Sequence, residues 1–326
     1  MGKRWLRIVA GVTISALATA VILEVAIRIL HLIPDNIPLT YHAVNGDEQF
    51  APDPNSSGRS ILGVLHRTDS LGLRGPERST ARDPAQVRVA VVGDSVVWGY
   101  GIDEEQTIPA WLERLGAVRG LRLEAWNLGV SAYNTFNEKA KYARLAPLLR
   151  PDVTIVIVLF NDLMPAAEHF RITPVGTLAD SRRRAPYPDA WRPLLEKSAL
   201  FHAAILLHWR FWPPERAAVV NLANLPAVIG QLDEIRVTAN SLGSKLIIAA
   251  MPSAWPDANQ FAKLASGLST FCEERHVPFV DLSESLGSPA RREYLLPSDP
   301  IHPTAEGARR IADVLLPQVA AASKPR

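Results

Sequence analysis

Four short segments carry residues whose types and order suit acyl transfer. Val91-Val92-Gly93-Asp94-Ser95 closes an apolar run with a turn that presents a serine. A serine so placed sits at the rim of a sheet, and its own backbone N–H is available to an oxyanion; Gly, Asp and Ser are equally ordinary turn residues after a strand. Asn127-Leu128-Gly129 follows the next run, and its glycine is either a plain turn residue or a place where a backbone N–H approaches a ligand unobstructed. Asn161-Asp162 ends the very apolar stretch Val153 to Phe160, so Asn161 is a strand terminator or an amide donor to a developing negative charge. Asp299-Pro300-Ile301-His302 puts a carboxylate and an imidazole within one tight turn. Asp299 there accepts from one ring nitrogen and leaves the other as a general base; a capping turn or half of a metal site uses the same residues.

Those segments need rims to stand on. From Val87 onward, β-branched apolar runs alternate with stretches of helical spacing, which argues for parallel strands joined by crossover helices. The strands are expected at Val87 to Val92, Leu121 to Asn127, Val153 to Phe160, Lys245 to Ala250 and Val277 to Asp281. The helices fall at Ile108 to Leu115, Asn137 to Leu149, Pro226 to Leu242, Phe261 to Arg275 and Ala305 to Val319, with Thr304 as an N-cap and Gly243 as a stop. The fold class is therefore α/β, a doubly wound, flavodoxin-like five-stranded parallel sheet, whose ligands sit at the carboxyl ends of its strands. All four segments lie at such ends or just before a helix. Residues 163–223 are too many for a simple connection and read as a cap insertion. They hold the arginine run Arg182 to Arg184, the cluster His208-Trp209-Arg210-Phe211-Trp212, and an amphipathic helix from Ser198 to Phe211 that either packs on the domain or meets a bilayer or acyl chain.

In that chain order the serine, glycine, asparagine and histidine resemble the blocks of the SGNH (GDSL-like) hydrolases over about Val87 to Leu316. The resemblance implies Ser95 as nucleophile, His302 as base and Asp299 as its orienting acid. It also implies an oxyanion hole from the Ser95 and Gly129 N–H groups and the Asn161 side chain. Where the family's third block reads Gly-x-Asn-Asp, this chain has Leu159. Asp69-Ser70-Leu71-Gly72-Leu73-Arg74-Gly75 resembles a segment seen ahead of the catalytic domain in membrane-anchored bacterial members, and Arg74 is read as structural. Val97 replaces the last glycine of G-x-S-x-G, so the nucleophile elbow of the α/β-hydrolases is not indicated. Walker A, dinucleotide-binding and H-E-x-x-H patterns are absent, and no other cluster has metal-ligand spacing. The expected activity is hydrolysis of an O-acyl ester, O-acetyl foremost, on envelope carbohydrate or lipid, with no cofactor. Alternatives are O-acetyl transfer to glycans by the same residues and a non-catalytic envelope binding module.

The N-terminus addresses compartment. Lys3, Arg4 and Arg7 precede an uncharged run from Ile8 to Leu23, the polarity of a signal anchor whose amino end stays in the cytoplasm. The run makes a helix of about 24 Å, extended at either end by Trp5-Leu6 and Val25 to Ile33, with Glu24 and Arg28 paired at i,i+4. An uncleaved single-pass anchor, residues 1–33, with the catalytic domain outside the cytoplasm is the expectation; Ala16-Leu17-Ala18 and Ala18-Thr19-Ala20 leave a cleaved signal peptide and a secreted product as the alternative. Residues 34–86, rich in Pro, Asn, Asp, Ser and Gly, read as an irregular arm, and 87–322 as the hydrolase domain. The 326 residues are 48% hydrophobic with a formal charge of +2, which supports one substantial core and lacks the basic face that nucleic acid requires. The one cysteine, Cys272, falls on a helical apolar face and reads as a buried thiol.

Overall fold

The computed structural model describes residues 2–32, 39–60, 62–164, 170–173, 176–180, 191, 195, 197–211, 221–254, 258–297 and 299–323. The chain divides into two units. One comprises Leu39–Ser57, Leu65–Arg183 and Ala218–Arg326, and the other Met1–Pro38, Gly58–Val64 and Arg184–Ala217.

The larger unit is built on five parallel strands: β1 (Val87–Val92), β2 (Leu123–Asn127), β3 (Val153–Val158), β4 (Lys245–Ala250) and β5 (Phe279–Asp281). Their order is β5-β4-β3-β1-β2. Both faces of the sheet are covered, which is why the strands read as continuous apolar runs rather than alternating ones; all six residues of β3 are buried. Val89, Val91, Ile155 and Ile157 meet Ile108, Leu112, Ile311 and Leu315 on one side. Those partners come from α3 (Ile108–Val118) and from α9 (Ala305–Ala322), which follows the short helix α8 (Ser283–Leu286). Ala90, Val92, Val156 and Val158 face Tyr142, Leu145, Leu232, Ile235 and Leu268 on the other, supplied by α4 (Thr135–Leu149), α6 (Leu225–Ser241) and α7 (Ala258–Arg275). Cys272 lies in this second layer, its thiol pushed up to about 12 by burial, and is inert packing.

The winding explains where a site forms. From β1 the chain crosses outward to β2 and then returns past β1 to β3, so the strand order reverses between β1 and β3. A crevice opens at the carboxyl ends of two such strands. Thr304 caps α9 by accepting from Gly307 N at 3.2 Å, and Gly243 ends α6 at φ +75°, as the sequence predicts. The third strand stops two residues short of the predicted Phe160 because Phe160–Leu163 winds into a 3₁₀ turn.

Residues 39–57 and 65–86 do not form a free arm. They carry short strands at Tyr41–Ala43, Phe50–Pro52 and Leu65–Arg67, and Phe50, Leu73 and Arg74 are buried in the unit that holds the sheet. Polar composition conceals this, because the segment's bonds go to partners distant in sequence.

The smaller unit contains α1 (Gly2–Ile29) and α5 (Ala199–Phe211). Residues Lys3–Ile29 are long and apolar enough to cross a membrane. Glu24 and Arg28 form the expected pair at 2.6 Å. Helix α5 groups with α1 in this unit. The arginine run at 182–184 and the side chains of 208–212 lie outside the described residues.

Candidate active site

The serine turn is a feat of close packing. Gly93 leaves room for Val97, whose Cγ2 would stand 2.4 Å from any Cβ at that position. Asp94 then caps the four-residue helix α2 (Ser95–Trp98), its Oδ1 accepting from Val96 N at 2.8 Å. Ser95 opens that helix, and among the described residues its N–H meets no acceptor. Gly99, at φ +86°, closes it.

Nothing about so short a helix is self-sustaining. Its carboxyl end is held by Arg74, whose Nη1 donates to Trp98 O at 2.7 Å and Gly99 O at 2.5 Å while Nη2 donates to Ile102 O at 2.7 Å. Arg74 is only 2% exposed. A buried cation on orphan helix carbonyls is the favourable end of the dipole. Trp98 Nε1 donates to His66 Nδ1 at 3.2 Å, and burial with Arg74 alongside pulls His66 down to about 3, so its ring is a neutral acceptor.

His302 reaches this turn from the loop before α9. Asp299 Oδ1 accepts from Ile301 N at 2.8 Å and His302 N at 3.1 Å, and Oδ2 lies 2.9 Å from His302 Nδ1. Burial alone raises Asp299, but the side-chain and backbone bonds from His302 outweigh it and hold the carboxyl below the usual range. An ionised Asp299 fixes the proton on Nδ1 and frees Nε2 to accept. That Nε2 is 2.8 Å from Ser95 Oγ. The Tyr100 ring, 4.6 Å from the imidazole centroid and tilted by 43°, packs against it.

Asn161 comes from the turn after β3. Its Nδ2 donates to Asp94 Oδ2 at 2.6 Å and lies 3.5 Å from Tyr133 O, the second distance being too long for a strong bond. Asp162 steadies the turn, accepting from Leu159 N at 2.8 Å and from Thr135 N, at the start of α4, at 2.7 Å. Leu159 is extended at φ −118°, a backbone any residue adopts, so its departure from the family glycine does not alter the turn. Burial and the nearby Asp94 push Asp162 up. Glu138, fully buried with neither carboxyl oxygen bonded, is pushed well up by burial and then by Asp162 and Asp94.

Gly129 is beside these groups but otherwise employed. Its N–H donates to Asn127 Oδ1 at 3.0 Å. A Cβ there would meet Trp98 N at 2.3 Å, Val97 C at 2.7 Å and Asp94 O at 2.9 Å, so the glycine lets the loop pass beneath α2. Three residues on, Ala132 adopts φ +75°, a conformation costly for alanine, and its N–H has no acceptor among the described residues. Sequence reading gives no hint of this, because only a glycine announces a left-handed turn. The bonds of Arg74 to the end of α2 and the packing of Tyr100 on His302 are likewise not legible locally, since both partners are distant in sequence.

The profile of the GDSL-like lipase/acylhydrolase family matches residues 91–310. No curated protein matches. Among solved structures, the chain is similar to the lipase/acylhydrolase of Enterococcus faecalis, with 14% identity, 74% of this chain and 99% of that one covered, and a TM-score of 0.48. It is similar to the Clostridium thermocellum family 3 carbohydrate esterase, with 16% identity, coverages of 73% and 100%, and a TM-score of 0.47. LAE5, an alpha/beta hydrolase enzyme from the metagenome of Lake Arreo, Spain, gives 16% identity, coverages of 74% and 98%, and a TM-score of 0.48. With more than half of its length matched by that profile, the chain belongs to the GDSL-like lipase/acylhydrolase family and is a hydrolase.

Proposed function

We propose that the protein is a serine esterase that cleaves an O-acyl ester outside the cytoplasmic membrane, where α1 anchors it. One observation carries the reading: the unbroken line Asp299 Oδ2, His302 Nδ1, His302 Nε2, Ser95 Oγ, with contacts of 2.9 and 2.8 Å. His302 removes the Ser95 proton as Oγ attacks the carbonyl, then returns it to the leaving alcohol; a water activated at the same nitrogen releases the acid. Asp299 stays ionised throughout and stabilises the imidazolium.

The oxyanion needs fixed donors. The Ser95 N–H and the Asn161 Nδ2 amide supply two, the latter by giving up its long contact to Tyr133 O. Gly129 N–H serves only by breaking its bond to Asn127, so the remaining donor is assigned to the 129–132 loop, where the Ser131 and Ala132 N–H groups meet no acceptor among the described residues. The reading extends to acylated envelope carbohydrate or lipid as substrate, on the basis of compartment and family.

Fluorophosphonate labelling of the purified protein tests this, comparing wild type with Ser95→Ala and His302→Ala. Labelling lost in both variants supports the reading, and persistent labelling of Ser95→Ala refutes it. Product analysis with an O-acetylated glycan then separates release of free acid from transfer to a second hydroxyl.

A further inference from the structure

Glu24 is the only acidic residue in α1. A carboxylate on a membrane-crossing helix is costly toward the bilayer centre, so its bonds matter. It sits five residues before the end of α1 at Ile29, roughly 8 Å along the axis. Besides Arg28 it accepts from Ser198 Oγ at 2.8 Å, Ala199 N at 3.0 Å and Leu200 N at 2.8 Å. The last two are first-turn N–H groups of α5, donors with no partner inside their own helix. Glu24 thus supplements the N-cap Ser198, whose Oγ accepts from Phe201 N at 3.1 Å, on a helix 174 to 176 residues away, and its charge complements that helix's positive end.

The two helices also pack. Ile27 is buried at 8% exposure while Val25 and Ile29 on either side are exposed at 47% and 70%. On α5, Ala199 and His202, one turn apart, are buried. The sequence of α5, Ala-Leu-Phe-His-Ala-Ala-Ile-Leu-Leu-His-Trp-Arg-Phe, holds no acid and one arginine. So apolar a helix buries most of its surface in protein or lipid, yet Leu207 is 61% exposed. On α1, Val21 and Leu30 also stand open, at 62% and 64%.

From this the geometry points to α5 as a second membrane-seated element: a half-span lying among the lipid chains of the outer leaflet, moored to α1 through Glu24. At 13 residues it is about 20 Å long, too short to cross a hydrocarbon core of about 30 Å. The placement follows from a level: α1 in the bilayer puts Glu24 near the outer interface, and the start of α5 is bonded there. This inference rests on reading α1 as a membrane anchor.

The test uses the full chain reconstituted in phosphatidylethanolamine/phosphatidylglycerol vesicles, in a Cys272→Ala background. A fluorophore is attached at Leu207→Cys, at Leu17→Cys in α1, or at the exposed Val237→Cys in α6, and quenched by nitroxide-bearing lipids or aqueous iodide. Expected is lipid quenching at 207 comparable to 17 and at least severalfold above 237, falling severalfold at 207 but not at 17 when Glu24→Ala is added. Quenching at 17 with 207 behaving like 237 overturns the proposal while leaving the anchor intact. Protection at 207 from both quenchers assigns that surface to protein instead and also overturns it. Absence of lipid quenching at 17 refutes the anchor reading itself, and the proposal with it.

Discussion

Ser95, His302 and Asp299 touch in sequence, so their removal acts as a unit. Ser95→Ala is expected to abolish turnover of a p-nitrophenyl ester with an unchanged melting temperature. Asn161→Ala removes one oxyanion donor and should lower kcat by roughly 10²–10³, or about 2.7–4 kcal/mol in the barrier, with little change in KM. An equal fall in folded fraction would assign Asn161 to structure alone. Behind the serine, Glu138 makes a separate prediction about stability. Its carboxyl is held well above its ordinary value of 4.5. Such a group stabilises the folded state fully below the unfolded value and loses that contribution as pH rises through the folded one. Stability should therefore decline as pH rises above the ordinary value of 4.5, by up to about 1.4 kcal/mol per pH unit. Urea denaturation of Glu138→Gln should show a shallower decline.

At the scale of elements, α2 is a four-residue helix sustained from outside. Arg74→Met leaves Ile102 O without its buried donor, and leaves Gly99 O and Trp98 O only the longer contacts from Ile102 N at 3.3 Å and Asn127 Nδ2 at 3.5 Å, at about 1–3 kcal/mol for a group left unsatisfied. The variant should melt earlier, and its folded fraction should react more slowly with a fluorophosphonate; Arg74→Lys, lacking the fork, should not restore either. Gly129→Ala should destabilise strongly through its collision with Trp98 N and Val97 C. What the sequence disclosed follows the same division. Strands β1 and β4 lie where their β-branched runs put them, because burial on both faces writes itself into local composition. So does the Asp299–His302 turn, whose partners are three residues apart. Arg74 is bonded across 24 residues or more and the start of α5 is bonded to Glu24 across 174 or more, and no periodic pattern records such pairs. The start of α4 at Thr135 rather than Asn137 has a nearer cause: Asn134 accepts from Phe136 N at 3.1 Å, a cap that an asparagine-rich stretch conceals.

On the scale of the whole molecule, chain order and spatial grouping part company. Each unit is assembled from three separate stretches, so the catalytic unit draws on residues before the sheet as well as within it. Leu73 lies in the same layer as Ala90, Val92 and Tyr142. Phe50 packs with Tyr133 at a ring-centroid distance of 5.2 Å, and Glu48 pairs with Arg144 at 2.6 Å. The seam that composition suggests, between residues 86 and 87, therefore runs through a packed interior. Modularity follows the seam at Leu39 instead. A catalytic module grafted onto a foreign anchor must carry residues from Leu39 onward, and a graft beginning at Val87, though it keeps every triad residue, should emerge insoluble or unreactive. In the vocabulary of evolution, the stretch ahead of the sheet is not a spacer free to drift in length and content, and it is expected to be inherited with the enzyme rather than with the anchor.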